Sequence, residues 1–109
     1  MKTNWQPTAN IETLRLRAKI TAKLREFFHQ RDVLEVETPV LGSHTVTDPH
    51  IHSICAQYDI SGDPSSKMLY LQTSPEFYMK RLLAAGSGAI FQIGKAFRAD
   101  EMGSQHRPE

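Results

Sequence analysis

Apolar residues recur three or four positions apart along the first third of the chain. Over residues 11–31 they fall on one face of a helix, and basic and acidic residues occupy the other, which we interpret as solvent-exposed. Asn10 can cap this helix, and Glu12 is favourable in its first turn. The pattern predicts an N-terminal arm over residues 1–10, followed by one long helix that ends at Asp32.

The next sixty residues alternate between strand-like and loop-like stretches. Residues 33–39 form a half-buried pattern that stops at a proline, which cannot donate a hydrogen bond to a strand ladder. Residues 42–49 have the composition of a loop. Alternation over residues 51–60 and an apolar stretch over residues 67–73 flank a turn rich in Gly, Pro, Asp and Ser (61–66), which predicts a hairpin.

A second helix is predicted directly after the hairpin. Ser74 provides a cap, Pro75 suits the first helical position, and Glu76 places an acid in the first turn, of a helix that closes at Gly86. Residues 89–93 form a further strand. The order helix, strand, hairpin, helix, strand indicates an α+β fold with an antiparallel sheet and flanking helices.

Composition narrows the class of protein. The chain has 109 residues and a net charge of +1, without the basic surplus that phosphate-backbone binding requires. It contains no apolar run of the roughly 18–20 residues that a membrane-spanning helix needs, and no apolar leader, so we expect a cytoplasmic location. Cys55 is the only cysteine, which excludes an internal disulfide, and we interpret it as a small apolar strand residue.

Two polar clusters could carry chemistry. A strand that runs into a capped helix places Ser74 and Glu76 at the end of a sheet, where an acid can hold a substrate ammonium group; alternatively, Glu76 only complements the helix dipole. Arg98, at the end of the last strand, could bind a phosphate with both arms of its guanidinium group, with Asp100 and Glu101 following. The alternative is a surface turn with paired charges.

Two further features are interpreted without chemistry. The junction of the long helix with residues 33–39 is favoured as a core or subunit contact. Three loop histidines, His44, His50 and His52, accompany Asp48. Because loop histidines are usually solvated, we expect no metal site there.

Three ordered segments together resemble the motifs of class II aminoacyl-tRNA synthetases. Residues 25–39, a helix and a strand that end in a proline, are similar to motif 1. Residues 97–100 (Phe-Arg-Ala-Asp) with residues 106–109 (His-Arg-Pro-Glu) are similar to motif 2 in its lysyl, aspartyl and asparaginyl form. Residues 71–83 look like the lysyl-type segment before motif 2. The match spans residues 11–109, and its three ordered elements make it specific.

The resemblance implies an enzyme that activates an amino acid with ATP to form an aminoacyl-adenylate. Arg98 would be the catalytic residue that bridges the substrate carboxylate and the α-phosphate. Ser74, Pro75 and Glu76 would line the amino-acid pocket, with Glu76 on the substrate ammonium. The ATP-binding residues that the resemblance implies are Arg98, Ala99, Asp100, Glu101, His106 and Arg107.

Two positions depart from the family pattern. Asp100 is one methylene shorter than the usual glutamate, and Glu101 follows it, so either acid could serve. Arg107 replaces the common asparagine. Motif 3 and the acids that hold Mg²⁺ would lie beyond Glu109. The resemblance therefore implies the N-terminal part of a longer catalytic domain, inactive on its own, whose complete protein uses ATP and Mg²⁺.

Residues 5–9 and 45–50 resemble a stand-alone lysyl-tRNA synthetase paralogue that attaches (R)-β-lysine to a lysine of elongation factor P. Only ten residues precede the predicted helix, too few for an anticodon-binding barrel. We therefore expect (R)-β-lysine or lysine as substrate, elongation factor P rather than tRNA as acceptor, and a homodimer through the motif 1 helix. A tRNA-charging lysyl-type synthetase and a non-catalytic paralogue used for dimerisation or regulation stay open as alternatives.

Overall fold

The computed structural model describes residues 4–48, 50–59, 66–99 and 108–109. In these residues a three-stranded antiparallel sheet has the order β2-β4-β3, and β1 pairs separately with β5. No helix in the described part of the chain is long and apolar enough to cross a membrane. The elements are α1 (Ile11–His29), β1 (Leu34–Glu35), β2 (Leu41–Gly42), β3 (Cys55–Asp59), β4 (Ser66–Leu71), α2 (Glu76–Ala84) and β5 (Ile90–Phe91).

Helix α1 begins as predicted and ends two residues early. The side chain of Asn10 accepts a hydrogen bond of 2.8 Å from the backbone N–H of Thr13, which confirms the predicted cap. A turn follows His29 because Asp32 adopts a φ of 55°, which aspartate tolerates better than most residues. No residue of α1 is buried, and Phe28 is half-buried.

The antiparallel sheet contains the predicted hairpin and one strand that the sequence did not predict. β3 and β4 pair from Cys55 opposite Tyr70 to Asp59 opposite Ser66, in strands shorter than the predicted 51–60 and 67–73. Residues 60–65, including most of the predicted turn, lie outside the described residues. Cys55 lies in β3 as expected, but its side chain is exposed.

The predicted loop over residues 42–49 is wrong at its start, where β2 pairs with the other edge of β4. A strand of two residues is too short to show the alternation of apolar and polar residues that predicts a strand. Its pairing with β4, which is distant in the sequence, holds it in the sheet. A Cβ on Gly42 would lie 2.5 Å from Tyr78 Oη and 2.6 Å from Gln72 Nε2, so only glycine allows both side chains to approach β2 this closely.

β1 and β5 pair in parallel, which corrects the expectation of a wholly antiparallel sheet. Leu34 lies opposite Ile90 and Glu35 opposite Phe91, and each strand is only two residues long instead of the predicted 33–39 and 89–93. Parallel strands need a long crossover, and here the hairpin and α2 lie between them in the chain. The local pattern of apolar and polar residues does not specify which distant strands pair or in which direction. This explains why the prediction of a wholly antiparallel sheet was wrong.

The small core lies where the end of α1 meets this strand pair. Phe91 is the one hydrophobic side chain classed as buried among the described residues, and its ring stacks on Phe28 with centroids 4.3 Å apart. Beside it, Thr38 donates two hydrogen bonds to Gln92 Oε1, from its backbone N–H (3.1 Å) and its hydroxyl (2.8 Å). The predicted packing role of the α1–β1 junction agrees with these contacts.

Helix α2 starts one residue later than predicted. Pro75 occupies the cap position with a ψ of 4°, and its ring makes no side-chain cap because it has no hydrogen-bond acceptor. Ser74 Oγ accepts a 3.2 Å hydrogen bond from the N–H of Glu76. The serine therefore stabilises the turn into the helix, rather than capping it. After Ala84, Gly86 with a φ of 93° closes the helix as predicted.

Candidate functional site

The fold brings the segment around Arg98 against the segment that joins β4 to α2. The N–H of Phe97 donates to the carbonyl of Gln72 at 2.9 Å, and Arg98 Nε donates to the carbonyl of Thr73 at 3.4 Å. Thr73 is 2% exposed, so this contact lies in the interior. Two sequence-predicted clusters, one at Arg98 and one beginning at Ser74, are thus neighbours.

Arg98 is half-buried, and its backbone is fixed on two sides. Its N–H donates to the carbonyl of Pro108 at 2.9 Å, and the next residue, Ala99, donates to the carbonyl of His52 at 2.8 Å. Together with the bond from Nε to the carbonyl of Thr73, these contacts position the start and the head of the arginine side chain. The other predicted ATP-site residues, Asp100, Glu101, His106 and Arg107, lie outside the described residues.

An open pocket of about 320 Å³ lies between the loop at residues 46–48 and the start of α2. It presents two carboxylates, two hydroxyl groups and three apolar side chains. Such a lining suits a small ligand that has an aliphatic chain and a positive charge. The lining residues are Val46, Thr47, Asp48, Ile51, Ser74, Glu76 and Phe77.

Sequence reasoning placed Ser74 and Glu76 at this pocket but missed its other wall. The sequence indicated Asp48 as a member of a possible metal cluster and residues 45–50 as a segment similar to a lysyl-type paralogue, but it assigned none of these residues to the substrate. The sequence shows an acid in a loop rich in Ser, Thr and His. That this loop folds against α2 is decided by tertiary structure. The resemblance of residues 45–50 to a lysyl-type paralogue was the available signal.

Local hydrogen bonds hold the loop wall in place. Asp48 Oδ1 accepts from the N–H of His50 at 2.9 Å, and the carbonyl of Asp48 accepts from the N–H of Ile51 at 3.3 Å. Earlier in the loop, the hydroxyl groups of Thr45 and Ser53 are hydrogen-bonded to each other. Asp48 therefore has a defined position although its side chain is exposed.

Glu76 is an ionised acid at the mouth of the pocket. Its Oε1 pairs with Lys80 Nζ at 2.8 Å, one helical turn along α2, and its side chain is 61% exposed. The hydrogen bond from Lys80, and then the positive charge of that residue, lower the pKa of Glu76 below its ordinary value of 4.5. Glu76 thus lies in the first turn of the helix and also lines the pocket, so both interpretations from the sequence stay compatible with its position.

The loop histidines do not form a metal centre in the described residues. His44 Nδ1 is hydrogen-bonded to Ser43 Oγ at 2.9 Å. Within the described ranges, no three histidine, cysteine, aspartate or glutamate side chains lie close enough together to hold a metal ion.

The α1–β1 junction carries an ion pair. Arg25 Nε contacts both carboxylate oxygens of Glu35, at 2.9 and 3.2 Å, with both side chains about half exposed. Such an exposed pair contributes at most about 1 kcal/mol. It links the side chain of α1 to that of β1 across the junction.

Residues 4–109 match the family of class II tRNA synthetases of the D, K and N group, and the chain belongs to this family. The relatives that it matches share a more specific name than the family. It is 54% identical to the elongation factor P–(R)-β-lysine ligase of Vibrio parahaemolyticus, over 100% of this chain and 34% of that protein. It is 53% identical to the ligase of the same name from Vibrio vulnificus, with the same coverage.

A third relative of that name, from Actinobacillus succinogenes, is 55% identical over 96% of this chain and 32% of its own length. The chain therefore spans about a third of the length of the curated relatives it matches. The class II resemblance that the three motif-like segments predicted is confirmed by the family match.

Proposed function

We propose that the full-length protein is an ATP-dependent ligase that joins (R)-β-lysine to a lysine side chain of elongation factor P. The names of the relatives and the family match support this activity. The structural observation that carries it is the position of Arg98 against Thr73, next to the segment whose Ser74 and Glu76 line an acidic, amino-acid-sized pocket.

In the first step, the carboxylate of the amino acid attacks the α-phosphorus of ATP. A bond forms between carboxylate oxygen and phosphorus, the bond from the α-phosphorus to the bridging oxygen breaks, and pyrophosphate leaves. The chain's contribution is position and charge, since no covalent bond to the protein is needed. Arg98 lies between the two anions and neutralises the charge that develops as they meet.

In the second step, the ε-amine of the acceptor lysine attacks the activated carbonyl. An amide bond forms, the bond from the carbonyl carbon to the phosphate oxygen breaks, AMP leaves with the electron pair, and the attacking nitrogen releases one proton to water. Glu76 holds an ammonium group of the amino acid through its carboxylate during both steps. Ser74 lines the same pocket and is oriented by its bond to the backbone of Glu76. Pro75, which lies between these two residues but does not line the pocket, is proposed as a further substrate contact.

The nucleotide contacts are proposed at Arg98, Ala99, Asp100, Glu101, His106 and Arg107. The N–H of Ala99 already donates to His52, so this residue would contact ATP through its carbonyl or methyl group. ATP and Mg²⁺ are the cofactors of the proposal. Within the described ranges, no three histidine, cysteine, aspartate or glutamate side chains lie together to hold a metal ion, and the ligands of Mg²⁺ are expected beyond residue 109.

The proposal includes a homodimer through α1. Four of its apolar side chains, spaced three or four residues apart along the helix, are about half exposed and form a continuous stripe: Leu16, Ile20, Leu24 and Phe27. An apolar stripe of this kind is typical of helices that pack against another surface. A cytoplasmic location belongs to the same proposal.

The test is intact-mass spectrometry of elongation factor P after incubation with the full-length protein, ATP and (R)-β-lysine. We expect an increase by the mass of one β-lysyl residue, which disappears when ATP is omitted. A parallel incubation with tRNA and lysine tests the alternative of a tRNA-charging enzyme. Charging of tRNA without a mass change on elongation factor P would contradict the proposal.

A further inference from the structure

We propose that Asp48 is a specificity-determining residue of the amino-acid pocket, and that Asp48 and Glu76 bind one ammonium group each of a diamino acid. This inference rests on the proposed function, because it identifies how the same pocket selects its substrate. Asp48 lies outside the segment 74–76 that the family resemblance assigns to the substrate, and lines the same pocket.

The two acids come from different structural elements and line one cavity. Asp48 belongs to the loop between β2 and β3, and Glu76 to the first turn of α2. Two separate segments of the chain thus present two negative charges to one cavity. A ligand with two separated positive charges can satisfy both in place.

The position of Asp48 is fixed without using up its carboxylate. One hydrogen bond from the N–H of His50 occupies Oδ1, while a carboxylate offers about four acceptor sites. The remaining sites can accept hydrogen bonds from an ammonium group. On the other wall, Lys80 occupies Oε1 of Glu76, which leaves acceptor capacity on that carboxylate as well.

Size and polarity favour an amino acid as the occupant. A volume of about 320 Å³ is at the small end of the roughly 300–1,000 Å³ of ligand pockets. Val46, Ile51 and Phe77 provide apolar wall against which a methylene chain can lie. A chain of methylene groups that separates two ammonium groups is the chemistry of lysine and of β-lysine.

The first test measures amino-acid-dependent ATP–pyrophosphate exchange by the full-length protein and its Asp48→Asn variant. Asparagine keeps the oxygen that accepts from His50 and removes only the charge. We expect KM for (R)-β-lysine to rise about 10- to 100-fold, the effect of losing one hydrogen bond between charged groups. KM for ATP should change less than about two-fold, because Arg98 and the nucleotide contacts are untouched.

Glu12→Gln is the matched control, since it removes one negative charge from an exposed position on α1, which does not line the pocket. It should leave KM for the amino acid unchanged. Asp48→Ser is a second uncharged variant whose hydroxyl can also accept from His50, and it should reproduce the effect of Asp48→Asn. Equal thermal unfolding of the variants and wild type establishes that the fold is intact.

The second test examines whether Asp48 and Glu76 bind different ammonium groups of the ligand. 6-Aminohexanoate keeps the carboxylate and the distal ammonium group of lysine but lacks the second amino group. As a competitive inhibitor, it should be weakened by only one of the variants Asp48→Asn and Glu76→Gln. Weakening by both, or by neither, would overturn the division of the ammonium groups.

Failure of the inference is distinguishable from failure of the proposed function. If the wild-type protein shows no exchange with (R)-β-lysine or lysine, both the proposed function and this inference are refuted. If the wild type is active and Asp48→Asn keeps a KM for the amino acid within about two-fold of it, only the role of Asp48 is refuted.

Discussion

Among single residues, Arg98 combines a permanent positive charge with a backbone held by hydrogen bonds on both sides. Its planar guanidinium group can contact a carboxylate and a phosphate at once, whereas lysine presents a single point charge. We expect Arg98→Lys to lower kcat/KM for ATP–pyrophosphate exchange by about 100- to 1,000-fold, the usual effect of removing one group that stabilises transition-state charge.

The measurement is steady-state exchange by the full-length variant. Arg15→Lys, on the exposed surface of α1, makes the same substitution outside the site and should retain wild-type activity. A loss of less than about ten-fold for Arg98→Lys would mean that the guanidinium fork is not needed, and that Arg98 acts only as a general positive charge.

The ion pair between Glu76 and Lys80 predicts how kcat/KM depends on pH. Lys80 lowers its pKa, so the acid stays ionised at pH values where an ordinary glutamate with a pKa of 4.5 would be half protonated. Any contribution of this carboxylate to substrate binding is therefore complete above the ordinary pKa, and is lost only as the pH falls through the lowered one. Lys80→Met should move the acid limb of kcat/KM for (R)-β-lysine to higher pH.

The pH–rate profile of the full-length variant checks this shift, and ¹³C NMR titration of the carboxyl group of Glu76 assigns it. Lys67→Met, an exposed lysine of β4 outside the pocket, is the control and should leave the acid limb where it is. Because the Glu76–Lys80 pair is exposed, we expect no measurable change in the free energy of unfolding for either variant. An unchanged acid limb in Lys80→Met would contradict the assigned cause of the pKa shift.

At the scale of elements, side chains reinforce a strand pair that is very short. β1 and β5 contain two residues each, and just beyond them Thr38 is 6% exposed and donates twice to Gln92. Gln92→Leu leaves both donors of Thr38 without this acceptor. We expect it to lower the free energy of unfolding by about 1–3 kcal/mol, and Thr38→Val, which removes one donor, by about 1 kcal/mol.

Urea unfolding of the full-length variants measures both effects. In the double variant the loss should be smaller than the sum of the single losses, because the two residues share one interaction. Gln57→Leu, on the exposed strand β3, makes the same chemical change without a buried partner. A loss for Gln92→Leu no greater than for Gln57→Leu would show that this link does not stabilise the pair.

At the scale of the whole molecule, little apolar surface is buried in the described residues. Phe91 is buried, whereas large apolar side chains such as Trp5, Leu34 and Met68 are half exposed or more. Burial of apolar area is the main favourable term in folding, so this chain alone has a weak basis for stability. We predict that the isolated 109-residue chain shows neither cooperative thermal unfolding nor ATP–pyrophosphate exchange.

Calorimetry and the exchange assay on the purified chain test this prediction, with the full-length protein as the positive control. Exchange that depends on added amino acid, catalysed by the chain alone, would refute it.

The α1 stripe gives a prediction about assembly. A glutamate at its centre, in Ile20→Glu, would have to be desolvated in an apolar interface, at a cost of several kcal/mol. We expect this variant of the full-length protein to become monomeric in size-exclusion chromatography with light scattering. Ala22→Glu adds the same charge at an exposed position on the opposite side of the helix and should remain a dimer. A dimeric Ile20→Glu protein would place the contact elsewhere.

The elements that the sequence predicted well are those fixed by near neighbours. Asn10 caps α1 through a bond to a residue three positions away, and Gly86 closes α2 with a positive φ. An alternating stretch and an apolar stretch on either side of a predicted turn pair as β3 and β4. Each of these depends on contacts over a few residues, or across one turn, which the order of residue types already specifies. The same local rules placed Ser74 and Glu76 at the start of a helix.

The sequence by itself therefore determined the helices, the hairpin and, through its motif-like segments, the class II family. Only the tertiary structure decided that β1 pairs with β5 in parallel, that β2 joins the sheet, and that Asp48 faces the same pocket as Glu76. The reason is physical. Contacts between distant segments depend on the path of the backbone between them, and neither propensity nor periodicity, which act over a few residues, encodes that path.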